Sequence, residues 1–161
     1  MSQTGTSVGS EVRTSVRAAL TSSVYRVDTD AGRLSGAAAG LTAAKLIAGM
    51  DYPAYVKVFD ASGAEAAADA AVGTGWKVAL VVDGKTVRSV SLVVTGDVNG
   101  DGKATLTDFV QMKSHLLGTA KLSGVKLLAG DLNGDGQFSL TDFVNMKSYL
   151  LGNLTLTGRK V

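Results

Sequence analysis

The chain says one thing twice. Asp97-Val98-Asn99-Gly100-Asp101-Gly102-Lys103-Ala104-Thr105-Leu106-Thr107-Asp108 returns 34 positions later as Asp131-Leu132-Asn133-Gly134-Asp135-Gly136-Gln137-Phe138-Ser139-Leu140-Thr141-Asp142. Oxygen-bearing residues at the first, third, fifth and twelfth places of a twelve-residue loop, with glycine sixth, are what a calcium ion with its shell of oxygen ligands requires of a tightly turning backbone. The spacing predicts Asp97, Asn99, Asp101 and Asp108 as ligands in the first loop, with the carbonyl of Lys103 and with Thr105 acting directly or through water. In the second loop it predicts Asp131, Asn133, Asp135 and Asp142, with the carbonyl of Gln137 and the hydroxyl of Ser139 or a water held there. Gly102 and Gly136 fall where a positive φ is cheap only for glycine. Three carboxylates repel one another in an empty loop, so two bound calcium ions would contribute to the folding free energy itself.

Each loop runs without a break into a helical pattern, Phe109-Val110-Gln111-Met112-Lys113-Ser114-His115-Leu116-Leu117-Gly118 and Phe143-Val144-Asn145-Met146-Lys147-Ser148-Tyr149-Leu150-Leu151-Gly152. Phe109, Met112 and Leu116 form one apolar stripe, repeated as Phe143, Met146 and Leu150, and this stripe is expected to join the two helices. A second stripe, Leu106, Val110 and Leu117, repeats as Leu140, Val144 and Leu151. A module of about sixty residues has too little interior to hide both. The surplus face, edged by Thr107, Gln111 and Ser114 and by Thr141, Asn145 and Ser148, therefore reads as an interface with a protein partner. The competing reading buries Leu117 and Leu151 against the connector around Val125, Leu127 and Leu128, or against the rest of the chain.

No full EF-hand is spelled out. A strand pattern runs into Asp97, so the entering helix is missing from the first copy, and Leu122 to Ala129 is at most a short connector helix before the second. The twelfth place holds aspartate where that motif expects glutamate, which requires the exiting helix to sit closer to the ion.

The 161 residues carry 14 acidic side chains, and six of them are the loop aspartates; the net charge of +2 comes with no lysine or arginine cluster, which argues against nucleic acid. There is no cysteine, so neither disulfides nor thiolate sites are available. No apolar run reaches the length of a membrane span. Met1 to Ser10 has no charged head followed by an apolar core, so no signal peptide is expected and the chain reads as a piece of something longer.

Residues 1–23 read as a Ser/Thr/Gly-rich leader, partly disordered or carrying a short helix from Glu11 to Leu20. From Val24 the pattern turns to strands: Val24 to Asp28, a turn at Thr29 to Gly32 leading into Arg33 to Gly36, then Tyr55 to Asp60, Trp76 to Val82 and Thr86 to Val94. Asp83-Gly84 is a favoured hairpin pair. Thr42 is placed to cap a helix over Ala43 to Ala48, with Ala44, Ile47 and Leu46 inward and Gly49 at its end. The core expected from this pattern comprises Tyr25, Ile47, Val56, Val58, Trp76, Val78, Leu80 and the apolar residues of the last strand. The fold class is thus α+β. A small sheet domain with one helix, 24–95, is followed without a linker by an all-α domain, 96–155, with three helices and a tail, 156–161.

The two loops of the form D-x-N-G-D-G-x-x-[ST]-L-T-D, each leading into F-V-x-M-K-S-x-L-L-G, resemble a type I dockerin over residues 97–152. The resemblance implies three helices, two calcium ions and a cohesin domain as partner. It places partner contacts at Leu106, Thr107, Val110, Gln111, Ser114 and Gly118 and at Leu140, Thr141, Val144, Asn145, Ser148 and Gly152. Many dockerins have Ser-Thr where this chain has Leu-Thr, and a basic residue where it has Ser114 and Ser148, so recognition here is expected to rest more on burial than on ionic contacts. The near-identical copies imply docking in either of two orientations. The sheet domain resembles, less specifically, the small β-rich X-type modules that directly precede dockerins in surface and secreted proteins of gut bacteria. The resemblance as a whole implies an extracellular, non-catalytic module, monomeric when free, that anchors its parent protein in a polysaccharide-degrading, cellulosome-like complex or on the cell surface.

Other classes fit less well. His115 is the only histidine, and its counterpart in the second copy is Tyr149, which points to shape and away from acid-base chemistry. The glycines of Asn-Gly-Asp-Gly belong to the metal turn. A calcium sensor would need a metal-driven opening of paired helices, which the missing entering helix makes hard; a calcium-stiffened spacer leaves the outer stripe without a task, and a fragment of a polysaccharide-degrading enzyme is the other alternative.

Overall fold

The computed structural model describes residues 18–156. The helix expected within Glu11 to Leu20 falls mostly outside them. Five strands, β1 (Arg26–Asp28), β2 (Arg33–Ala38), β3 (Val56–Phe59), β4 (Lys77–Val82) and β5 (Lys85–Thr95), form one sheet in the order β1-β2-β5-β4-β3. β5 lies at the centre, antiparallel to β4 and parallel to β2. Asp83 and Gly84 both have positive φ, 51° and 76°, giving a hairpin turn whose twist suits the flanking strands.

Helix α1 (Ala43–Ala48) crosses one face of the sheet, and Thr42 caps it by accepting from the Lys45 N–H. Its inward residues are Ala43 and Leu46, with Ala44 exposed, contrary to the pattern reading. The cause lies outside the helix: the N–H groups of Ala43 and Ala44 donate to the carbonyls of Ala70 and Ala68, and these bonds fix its roll. Beneath it the first core gathers Tyr25, Leu34, Leu46, Val58, Val78 and Leu92, with Ile47 and Trp76 partly buried at its edge. Leu20, read as leader, is 3% exposed in this core, and the Ser22 hydroxyl donates to the Gly49 carbonyl, so the segment before β1 packs as part of the sheet domain.

β5 is covered on both faces at its end. Val90, Leu92 and Val94 point into the first core, whereas Val93 belongs to a second core with Val98, Met112, Ala129, Leu132 and Met146. The second core is closed by three helices, α2 (Leu106–Leu117), α3 (Gly124–Ala129) and α4 (Leu140–Leu150), with α3 lying against β5. Phe109 and Phe143 stack at 4.3 Å between ring centroids, joining α2 to α4. Leu156 packs into the same core from beyond α4. The architecture is therefore a sheet-and-helix domain followed by a three-helix region, and the two share the central strand as a wall.

Candidate metal centres and docking face

Both loops are entered the same way from different elements. The Asp97 N–H donates to the Val94 carbonyl at the end of a strand, and the Asp131 N–H donates to the Leu128 carbonyl at the end of a helix. Val98 and Leu132 then plug the second core and anchor each loop at its second residue. The expectation of a missing entering helix holds for the first copy, and α3, six residues long, is the connector before the second.

Within each loop the backbone is wrapped around the first and last carboxylates. Asp97 Oδ1 accepts from the N–H groups of Gly100 at 2.8 Å and Asp101 at 3.0 Å, and Oδ2 accepts from Gly102 at 2.9 Å. In the second copy Asp131 accepts from Gly134 at 2.9 Å, Asp135 at 3.2 Å and Gly136 at 2.8 Å. Asp108 holds both ends of its loop, accepting from Asn99 N–H at 3.1 Å and Thr105 N–H at 2.8 Å, and Asp142 does the same with Asn133 and Ser139 at 3.1 and 2.8 Å. Thr105 and Ser139 are also the N-caps of α2 and α4, in capping boxes closed by Asp108 and Asp142. One aspartate thus both caps a helix and faces the loop, which seats the shorter side chain at the twelfth place close to the loop centre.

The arrangement brings together carboxylate oxygens of Asp97, Asp101 and Asp108, all within 4.8 Å of one another, and likewise those of Asp131, Asp135 and Asp142. Asn99 and Asn133 face the same clusters, donating from their side-chain amides to Asp101 and Asp135. Lys103 and Gln137 donate their N–H groups to Asp101 and Asp135. In each loop the first and twelfth aspartates are buried and the fifth is exposed. Among the described residues no lysine or arginine pairs with these aspartates. Burial pushes the Asp97 carboxyl up from its ordinary value against the pull of its backbone donors, and the Asp108 charge adds to the rise. Asp108 is raised in the same way, by burial first and then by the charge of Asp101. Converging carboxylates, two of them out of water, match a divalent cation's demand for hard oxygen ligands, and each cluster can chelate one.

The second apolar stripe is outside in both copies. Leu106, Val110 and Leu117 are 65%, 52% and 66% exposed, and Leu140, Val144 and Leu151 are 64%, 51% and 65% exposed. The connector does not cover Leu117 or Leu151. Thr107 and Thr141 are exposed beside this face, Gln111, Ser114, Asn145 and Ser148 are half-buried at its border, and Gly118 and Gly152 close it in the left-handed conformation. The inner stripe is less regular: Met112 and Met146 are fully buried, but Leu116 is 39% exposed. His115 has a structural task, its Nδ1 accepting from the Leu122 N–H at 2.8 Å while the ring meets the edge of Phe138.

Sequence reasoning missed the segment 71–74. No role was assigned to these residues, yet they hold the first metal loop: the Thr74 N–H donates to Asp97 Oδ2 at 2.9 Å, and nearby the Gly40 N–H donates to the Gly102 carbonyl. The one available hint was the pair Gly73 and Gly75 around Thr74, since glycine next to a strand permits a close backbone approach.

Fold and site together define a protein–protein interaction module built on two acidic clusters that could chelate divalent cations. Residues 95–151 match the family model of the dockerin type I domain. This region is a dockerin-like domain, preceded by a β-rich region. A solved structure similar to this chain is described as the third cohesin ScaC in complex with the ScaB dockerin from Acetivibrio cellulolyticus, with a mutation in the N-terminal helix and displaying a type I interaction. The similarity is at 30% identity, covers 40% of this chain and 92% of that one, and has a TM-score of 0.38. No curated protein matches the chain. Among the described residues no helix is long and apolar enough to cross a membrane.

Proposed function

We propose that this chain docks a cohesin domain through the outer faces of α2 and α4, with one calcium ion in each loop fixing those faces, and so anchors its parent protein in an extracellular multiprotein complex. The observation that carries the reading is the matched exposure of the two apolar triplets, each copy agreeing with the other to within about one per cent. A folded chain has no structural use for the same large apolar side chains left in water twice, and such paired patches mark interaction surfaces. The ligands we assign are Asp97, Asn99, Asp101, Asp108 and the carbonyl of Lys103 in one loop, and Asp131, Asn133, Asp135, Asp142 and the carbonyl of Gln137 in the other, with Thr105 and Ser139 at the ninth places. Bound cations would supply the positive charge that balances these carboxylates. The chain's own part is to orient them, through the N–H groups wrapped around the first and twelfth aspartates, and to carry that order into the first turn of each helix through the capping boxes.

Docking would use Leu106, Thr107, Val110, Gln111, Ser114 and Gly118, or the equivalent Leu140, Thr141, Val144, Asn145, Ser148 and Gly152, and the likeness of the two sets supports two orientations. Calorimetric titration against cohesin domains of several classes, with calcium and then with chelator, tests this. Replacing Leu106, Thr107, Leu140 and Thr141 together by charged residues is expected to weaken binding by more than about a hundredfold, as removal of hot-spot contacts does, while the helical signal in calcium is kept. Replacement in one copy alone is expected to show little. Undiminished binding by the fourfold variant would move the interface elsewhere, and no binding to any cohesin would favour the spacer reading.

A further inference from the structure

The two loops are matched so closely that each serves as a control for the other, and they differ where the first meets the sheet domain. Asp97 Oδ2 accepts a second N–H, from Thr74 at 2.9 Å, beyond those its own loop provides. Thr74 is itself fixed on the central strand, its hydroxyl accepting from the Val94 N–H at 3.0 Å and donating to the Val94 carbonyl at 3.2 Å. Around it the backbones are in contact. A Cβ on Gly73 would lie 2.1 Å from the Gly100 carbonyl oxygen, and one on Gly102 would lie 2.8 Å from that of Ala71, whereas at Gly136 nothing comes within 4 Å. Gly40 N–H adds a bond to the Gly102 carbonyl at 2.9 Å. The second loop turns the same way, but among the described residues its first aspartate, Asp131, accepts only from its own loop, from Gly134, Asp135 and Gly136.

A loop that binds a cation must lose conformational freedom and bring like charges together. Where another part of the fold has already ordered the loop and set a donor on one of its carboxylates, that cost is met before the ion arrives, and partners of this kind typically change metal affinity about 10- to 100-fold. We propose that segment 71–74 of the sheet domain is a positioning element for the first metal loop, so that the two sites are unequal: the first fills at lower calcium and empties last, and the second governs when the docking module loosens. The proposal rests on the calcium reading above and deepens it, by making the sheet domain part of the metal site.

The test follows calcium uptake by the metal-stripped full chain in chelator-buffered solutions, using the amide resonances of Gly102 and Gly136 to read the loops separately. The expected result is half-saturation of the Gly102 loop at a free calcium concentration about tenfold or more below that of the Gly136 loop. Simultaneous filling, or filling of the Gly136 loop first, would overturn the proposal. Failure of either loop to take up calcium would instead overturn the underlying assignment, so the two failures are distinct. Gly73→Ala, which drives a methyl group toward the Gly100 carbonyl, is expected to weaken the first site selectively and leave the second unchanged. Equal weakening of both sites, or of neither, with the sheet resonances in place counts against the proposal. If that substitution disturbs the sheet, the loading order of the unaltered chain decides the matter.

Discussion

The first and second loops have the same sequence pattern and the same internal hydrogen bonds, yet one is bolted to a β-sheet and the other stands in solvent on a short helix. Near-identity of sequence therefore does not imply equivalence of environment. The chain entering the first loop is the central strand, so Asp97 sits at a junction of two cores, whereas Asp131 follows a six-residue helix. The duplicated helices keep their likeness because they pack on each other, Phe109 on Phe143 and Met112 beside Met146 in one core. The duplicated loops lose theirs because the first is bonded to the sheet domain, Asp97 to Thr74 and Gly102 to Gly40.

Removing divalent ions is expected to have the largest effect. With six carboxylates left uncompensated, the helical region should loosen while the sheet domain persists, seen as loss of helical circular dichroism with the strand signal retained. Hydrogen exchange should show the second loop opening before the first. Simultaneous opening of both loops, or retention of full helicity without metal, would break the comparison.

Next come the two buried methionines. Met112→Ala and Met146→Ala should each cost about 2–5 kcal/mol in chemical denaturation, and the two costs should be alike, because both side chains are fully buried in the same core. A large inequality would mean that the sheet's hold on the first copy extends into its helix.

The paired glycines sharpen the contrast directly. Gly102 and Gly136 have φ of 83° and 89°, so alanine brings the same backbone strain to both, about 1–2 kcal/mol. At Gly102 alone the new Cβ would also meet the Ala71 and Val72 carbonyls, adding about 1–3 kcal/mol of overpacking. Equal losses for Gly102→Ala and Gly136→Ala, measured by urea denaturation in excess calcium, would show that the sheet contact gives way without cost.

The smallest effect is one of pH. In metal-free protein, burial raises the Asp97 and Asp108 carboxyls above their ordinary range. Over the interval between the unfolded and folded values the native state holds more protons than the unfolded chain, so the stability contributed by these groups falls as pH rises. Urea midpoints in metal-stripped buffer should accordingly rise modestly as pH is lowered from neutrality toward about 4, the unperturbed aspartate value. A midpoint that falls over this window would contradict the burial argument.

Much of the site was legible in advance because it is local. Metal loops, capping residues and helix stripes are set by spacings of a few positions, and Asp97 with Asp108, or Leu106 with Leu117, lie within one turn or one helix of each other. Strand β4, the Asp83-Gly84 turn and helix α1 announced themselves for the same reason. Less visible were the sides each element turned to its neighbours: Ala44 faces outward because carbonyls 24 and 26 positions away hold its helix, and Leu20 lies in a core formed by strands that come later.

By itself, then, the sequence determined that two acidic loops would each launch an amphipathic helix with one apolar face to spare. Tertiary structure decided that these loops would not be equal. The bond from Thr74 to Asp97 spans 23 positions and is made by a backbone N–H, a group every residue but proline carries, so no side-chain pattern can announce it. Only the folding of β5 between two cores brings that donor to Asp97, and among the described residues Asp131 has no counterpart of it.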